Sequence, residues 1–92
     1  MTARDLVLNI AVNLGRLGRW SHEAKTDRIP QFLADTQNYL DQLHGFNPGF
    51  TSTYESFIKD YSRLKSTPPS DPDWAETAFT WANILTHRAR LA

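Results

Sequence analysis

An all-α fold, a compact antiparallel four-helix bundle, is the architecture this sequence predicts, on three observations. Apolar residues recur at helical spacing in four stretches, and no stretch alternates with a two-residue period long enough for a strand. Asn47-Pro48 and Asp71-Pro72 each set a side-chain acceptor before a proline. That is the pattern of a helix N-cap followed by a first-turn residue whose missing N–H costs nothing. The turn between the second and third stretches is very short, which forces antiparallel neighbours. The predicted helices cover about residues 3–19, 28–44, 48–65 and 72–90 of a single helical domain, 1–92.

The first helix opens on Thr2-Ala3-Arg4-Asp5, which has the form of a capping box with Asp in place of the usual Glu. At 100° per residue, Leu6, Val7, Ile10, Ala11, Leu14 and Leu17 cover one broad apolar face. Leu8 and Val12 extend that arc beyond the stripe a surface helix needs, leaving a polar wedge of Asp5, Asn9, Asn13 and Arg16. Gly15 and Gly18 each cost about 1 kcal/mol relative to Ala in a helix interior. They read in two ways, as sites of close approach by a neighbouring backbone or as an early helix end.

Ser21 to Asp27 reads as a polar connector, with Asp27 or Thr26 capping the second helix and Pro30 in its first turn. A single longer helix starting after Ser21 and kinked at Pro30 is the alternative. Ile29, Phe32, Leu33, Thr36, Tyr39, Leu40 and Leu43 share the inner face, with Gln31, Asp35, Asn38 and Gln42 opposite. Gly45 supplies the stop. The third helix carries Phe50, Tyr54, Phe57, Tyr61 and Leu64 inward, with Ile58 at the margin. Ser66-Thr67-Pro68-Pro69-Ser70 is a loop, because two prolines halt any helix. The fourth helix turns Trp74, Ala78, Trp81, Ala82, Leu85 and Ala89 inward. Asp73 and Glu76 lie near its positive end, and His87, Arg88 and Arg90 near its negative end.

Composition narrows the function classes. The 92 residues contain no Cys, which excludes a disulfide scaffold and a Cys-type zinc site and fits a reducing compartment. Ten basic residues balance ten acidic ones, whereas a chain bound mainly to nucleic acid or anionic lipid carries a basic excess. The most apolar run, Leu6 to Leu17, is broken by Asn9, Asn13 and Arg16, too short for a membrane span and unlike a signal-peptide core. A soluble cytoplasmic protein is the expectation, with no membrane partner.

No residues are assigned to catalysis, to a cofactor or to a metal, and an enzyme is not expected. His22, His44 and His87 are the titratable candidates near neutral pH, but His44 and His87 sit where a cation suits a helix C-terminus. A di-iron bundle needs Glu-x-x-His pairs; Glu23, Glu55 and Glu76 are followed three residues on by Thr26, Ile58 and Phe79. No Walker A, Gly-x-Ser-x-Gly or His-Glu-x-x-His pattern is present.

What remains is an apolar excess. Leu8 and Val12 on the first helix, with Phe79 and Ile84 off the main stripe of the fourth, are the candidate partner-binding residues. The predicted function is a small non-enzymatic protein-interaction or regulatory module, binding a protein partner or itself as a homodimer. The alternative is a nucleic-acid-associated or anion-binding protein. It would use Arg16, Arg19, Trp20, Arg28 and Arg63, which an up-down bundle gathers at one end.

Overall fold

Thr2 opens the first helix as its sequence demands. In the computed structural model, which describes residues 1–92, Thr2 Oγ1 accepts from the Asp5 N–H at 3.1 Å. Asp5 Oδ2 in turn accepts from the Thr2 N–H at 3.1 Å, closing a capping box. The bond from the Thr2 backbone holds the Asp5 carboxyl below its ordinary range. The helix, α1, runs Ala3–His22, past both glycines and three residues beyond the predicted end. It stops in a Schellman turn, with Lys25 N bonded to Trp20 O at 2.8 Å and Ala24 N to Ser21 O at 3.1 Å. Ala24 takes the left-handed position, at φ +57°.

The second helix, α2, spans Ile29–Gln42 with Pro30 in its first turn, so the kinked longer helix does not form. Neither Asp27 nor Thr26 caps it through a side chain; the Ile29 N–H uses the Thr26 carbonyl at 3.2 Å. Leu43 turns extended and Gly45 follows at φ +68°. Pro48–Phe50 forms a 3₁₀ turn leading into α3, Thr51–Ser66. Asn47 contributes its carbonyl, to Phe50 N at 2.9 Å, and no side-chain cap. The fourth helix, α4, spans Trp74–Arg88 and tightens to a 3₁₀ turn at Ala89–Leu91. Asp71 still organises its start. Its Oδ1 accepts from Asp73 N at 3.0 Å and its carbonyl from Trp74 N at 3.1 Å, so Asp71-Pro72 makes an Asx turn one step before the helix.

The molecule is an all-helical four-helix bundle of 36 × 21 × 20 Å with α1 at its heart. α1 packs chiefly along α4 and next along α2, burying Leu6, Val7, Ile10, Ala11, Leu14 and Leu17. α1 and α4 are antiparallel. At one end Arg4 Nη2 reaches the Arg90 carbonyl at 3.4 Å; at the other, Ser21 Oγ donates to the Pro69 carbonyl at 2.7 Å. Ala11 and Gly18 on α1 and Ala78 on α4 are buried, and small residues such as these let helix axes approach.

Gly18 answers to the close-approach reading, although the neighbour is a side chain. A Cβ there would stand 2.8 Å from Phe79 Cε1. A Cβ on Gly15 would meet nothing within 4 Å, so neither reading of Gly15 holds within the chain. Asn13, expected in the polar wedge, is only 6% exposed. The helices that wrap α1 on both sides narrow the wedge to Asp5, Asn9 and Arg16.

The α3 side of the core is aromatic and its polar atoms are satisfied. Phe57 stacks on Tyr61 at 5.4 Å and meets Trp81 at 5.3 Å. Tyr61 Oη donates to the Leu33 carbonyl of α2 at 2.8 Å, and burial pushes its phenol well above the ordinary value. Trp74 Nε1 donates to the Leu64 and Thr67 carbonyls at 3.0 and 3.1 Å, pinning the end of α3 to the start of α4. Arg88 and Thr53 meet at 3.4 Å at the opposite ends of the same two helices, so α3 and α4 are antiparallel as well.

Candidate functional site

α1 faces solvent along one arc, and that arc is where its surplus apolar residues emerge. Leu8 is 38% and Val12 53% exposed, one helical turn apart in the middle of the helix that contributes most to the core. With Met1, Asp5 and Asn9 they line a shallow, open depression of about 390 Å³. Asn9 Nδ2 donates to the Asp5 carbonyl at 2.9 Å, so its amide is tied to the helix and leaves the aliphatic groups uncovered.

The four apolar candidates do not form one patch. Phe79, 42% exposed, lies on the α1–α4 seam over Gly18. Ile84 is half-buried in a groove between α3 and α4 lined by Ser52, Thr53, Ser56, Trp81 and Arg88. The cause is helical geometry: five residues at 100° each set Phe79 and Ile84 about 140° apart, on opposite flanks of the α4 inner stripe. Leu8 and Val12 stay together because four residues bring a helix round to the same face.

The basic candidates are likewise divided. Trp20, near the end of α1, meets Phe32, in the first turns of α2, edge-on at 4.8 Å. The Arg28 guanidinium lies 5.4 Å from each ring, and that of Arg16 lies 5.7 Å from Phe32. Such contacts contribute about 0.5–1 kcal/mol apiece at an exposed site. Neither Arg16 nor Arg28 is in an ion pair, whereas Arg63 is turned away to Asp60 at 3.6 Å on α3. Arg19 is exposed on the α1 outer arc. Phe32 is the member that sequence reasoning missed, having been placed on the buried face of α2. The short connector between α1 and α2, with an aromatic at each end, was the available signal.

A third feature was not foreseen from sequence. Between the end of α3 and the start of α4 runs a cleft of about 310 Å³ lined by Asp60, Arg63, Leu64, Thr67, Asp71, Asp73, Trp74 and Thr77. It continues past Glu76, Thr80 and Trp81. Asp60 is fixed there by the Trp81 Nε1–H at 2.7 Å. Carboxylates dominate the cleft, yet no three His, Cys, Asp or Glu side chains anywhere in the molecule converge on a point that could hold a metal ion. His22 and His87 lie exposed in the last turns of α1 and α4, whereas His44, also exposed, falls beyond the end of α2 rather than in the last turn where it was expected.

No helix is long and apolar enough to cross a membrane. Comparison with protein-family models, with curated proteins and with solved structures found no match to this chain.

Proposed function

We propose that this chain is a small non-enzymatic helical interaction module that docks a protein partner through the outer arc of α1. The observation that supports it is the exposure of Leu8 and Val12 side by side on the central helix. Covering them contributes about 1–2 kcal/mol each to an association, and a docking helix or loop would find a shallow apolar seat with Asp5 and Asn9 on its rim. Phe79 extends the same side of the molecule across the α1–α4 seam; Ile84, on the other flank of α4, plays no part in this reading.

The test is a pull-down from lysate of the source organism with the tagged chain, run beside the Leu8→Asp/Val12→Asp variant. Circular dichroism of the variant comes first. A protein retained by the wild type and lost from the folded variant is the expected result. Unfolding of the variant would make Leu8 and Val12 core residues and end the proposal, and so would identical capture by both chains.

A second reading has its own observation, the two guanidiniums of Arg16 and Arg28 held beside Trp20 and Phe32 without a carboxylate partner. Such a cluster offers charge and a stacking surface to an anionic, ring-bearing ligand such as a nucleic-acid segment. It predicts a mobility shift of labelled RNA or DNA that falls steeply with salt. Absence of any shift at low salt would remove it, and the balanced charge of the chain argues in that direction.

A further inference from the structure

We infer that the occupant of the α1 outer arc is a second copy of this chain, docked antiparallel about a twofold axis that passes between Leu8 and Val12. This rests on the reading of that arc as an interface and names the partner. At 100° per residue, Asp5, Leu8, Val12, Arg16 and Arg19 fall within about 80° of arc, and all five are exposed. Charge along this strip is ordered, with an acid in the N-terminal half, two aliphatics in the middle and two guanidiniums in the C-terminal half. A twofold axis lays such a strip on itself with its ends exchanged, so unlike charges meet and like ones part. A parallel pair would set Asp5 on Asp5 and Arg16 on Arg16, and is disfavoured for that reason.

The spacing agrees with the charge. With a rise of 1.5 Å per residue, Asp5 lies about 7.5 Å before the midpoint of Leu8 and Val12, and Arg16 about 9 Å after it. In the antiparallel pair, Leu8 of one copy comes level with Val12 of the other, and Asp5 of one comes within about 1.5 Å of level with Arg16 of the other. Arg19 lies about a turn farther out, within reach of the same carboxylate for so long a side chain. The groups are available: Asp5 Oδ1 makes no hydrogen bond within the chain, Oδ2 being the atom that caps the helix. Arg19 makes no ion pair within the chain, and Arg16 only rests beside Phe32. Arg4, the side-chain cation of the N-terminal half, is turned to the Arg90 carbonyl.

Gly15 now acquires a reason. It lies about 20° from Leu8 on the same arc, and nothing in its own chain comes within 4 Å of where its Cβ would be. In the antiparallel pair it stands level with Asp5 of the other copy, where a missing side chain lets the two helices approach. Two helices of this length laid side by side bury less than a standard interface. The dimer is therefore weak and concentration-dependent.

Sedimentation velocity from micromolar to millimolar protein tests this. The wild type should shift from monomer towards dimer as concentration rises. The Asp5→Arg and Arg16→Asp chains, each checked for fold by circular dichroism, should each self-associate about ten-fold more weakly. Their equimolar mixture should recover wild-type affinity, because both cross-pairs of the heterodimer are then of opposite sign. Should Asp5→Arg lose the fold with its cap, Arg16→Asp, which leaves the cap intact, still reads the contact and should weaken association by setting an acid against Asp5. A monomer at millimolar concentration, a dimer indifferent to these changes, or a mixture no tighter than its parts would overturn the second copy. Failure of the interface reading itself is seen separately: a monomer that still loses a captured protein on Leu8→Asp/Val12→Asp keeps the interface and changes only its occupant.

Discussion

Phe79 occupies the space that a side chain at Gly18 would need: a Cβ on Gly18 would stand 2.8 Å from the ring's Cε1. The ring is partly exposed and can swing away, but only by giving up its seat on α1. Gly15, three residues earlier, has open space instead. Measured by urea unfolding at low protein concentration, Gly15→Ala should stabilise the fold by about 1 kcal/mol through helix propensity. Gly18→Ala should gain distinctly less or lose stability. In a Phe79→Ala background, Gly18→Ala should recover the gain seen at Gly15, a coupling that a double-mutant cycle reads directly. Equal gains at both glycines in the wild-type background would refute the account of the seam.

Ala24 closes α1 with a left-handed backbone that suits glycine better. Ala24→Gly should remove a conformational cost of about 1–2 kcal/mol while loosening the unfolded chain by about 0.4–1 kcal/mol. The net expectation is a stabilisation of about 0.5–1 kcal/mol in urea or thermal unfolding. A destabilised Ala24→Gly chain would show that the Schellman turn is not what ends the helix.

Tyr61 links α3 to α2 through one hydrogen bond to the Leu33 carbonyl. Tyr61→Phe should cost about 1 kcal/mol at neutral pH. Its pH dependence carries the opposite sign. The folded phenol ionises above its ordinary value because it is buried, so the folded state disfavours the phenolate. The stabilisation is complete below the unfolded value of about 10 and is lost as pH rises from there towards the folded value. Wild-type stability should therefore fall from pH 10 upward, and Tyr61→Phe should fall less. Parallel alkaline slopes for the two proteins, followed by circular dichroism, would contradict the burial of this group.

The sequence disclosed elements wherever the signal was local. Thr2 and Asp5 are three residues apart and make the cap their spacing implies. Trp74, Ala78, Trp81, Leu85 and Ala89 form the buried stripe that their period describes. Where meaning depends on a distant residue, the reading was ambiguous or wrong. Gly18 read equally as a close approach or a helix end, because the neighbour that decides it, Phe79, lies on another helix. Asn13 looked exposed because helical period does not say how widely neighbours wrap. Ala24 carries no glycine or asparagine signal, so the length of α1 was underestimated. Of the candidate site residues, Leu8 and Val12 emerge together as their four-residue spacing requires. Phe79 and Ile84 were grouped with them, although the spacing of the two sets about 140° between them and divides them in the fold. The meeting of Phe32 with Trp20, Arg16 and Arg28 was not legible, since it needs the angle at which α2 leaves α1.

The principal neighbour of α1 is the last helix rather than the next. As the chain leaves the ribosome, its most apolar segment must therefore wait through the synthesis of α2 and α3 before α4 can cover it. A bundle wired between adjacent helices could settle piece by piece; this one closes its core only when the far end arrives, which raises contact order for so small a helical fold. During that interval Leu6, Ile10, Leu14 and Leu17 share the solvent with Leu8 and Val12. The nascent chain is then at its most adhesive, and a chaperone would find most to hold.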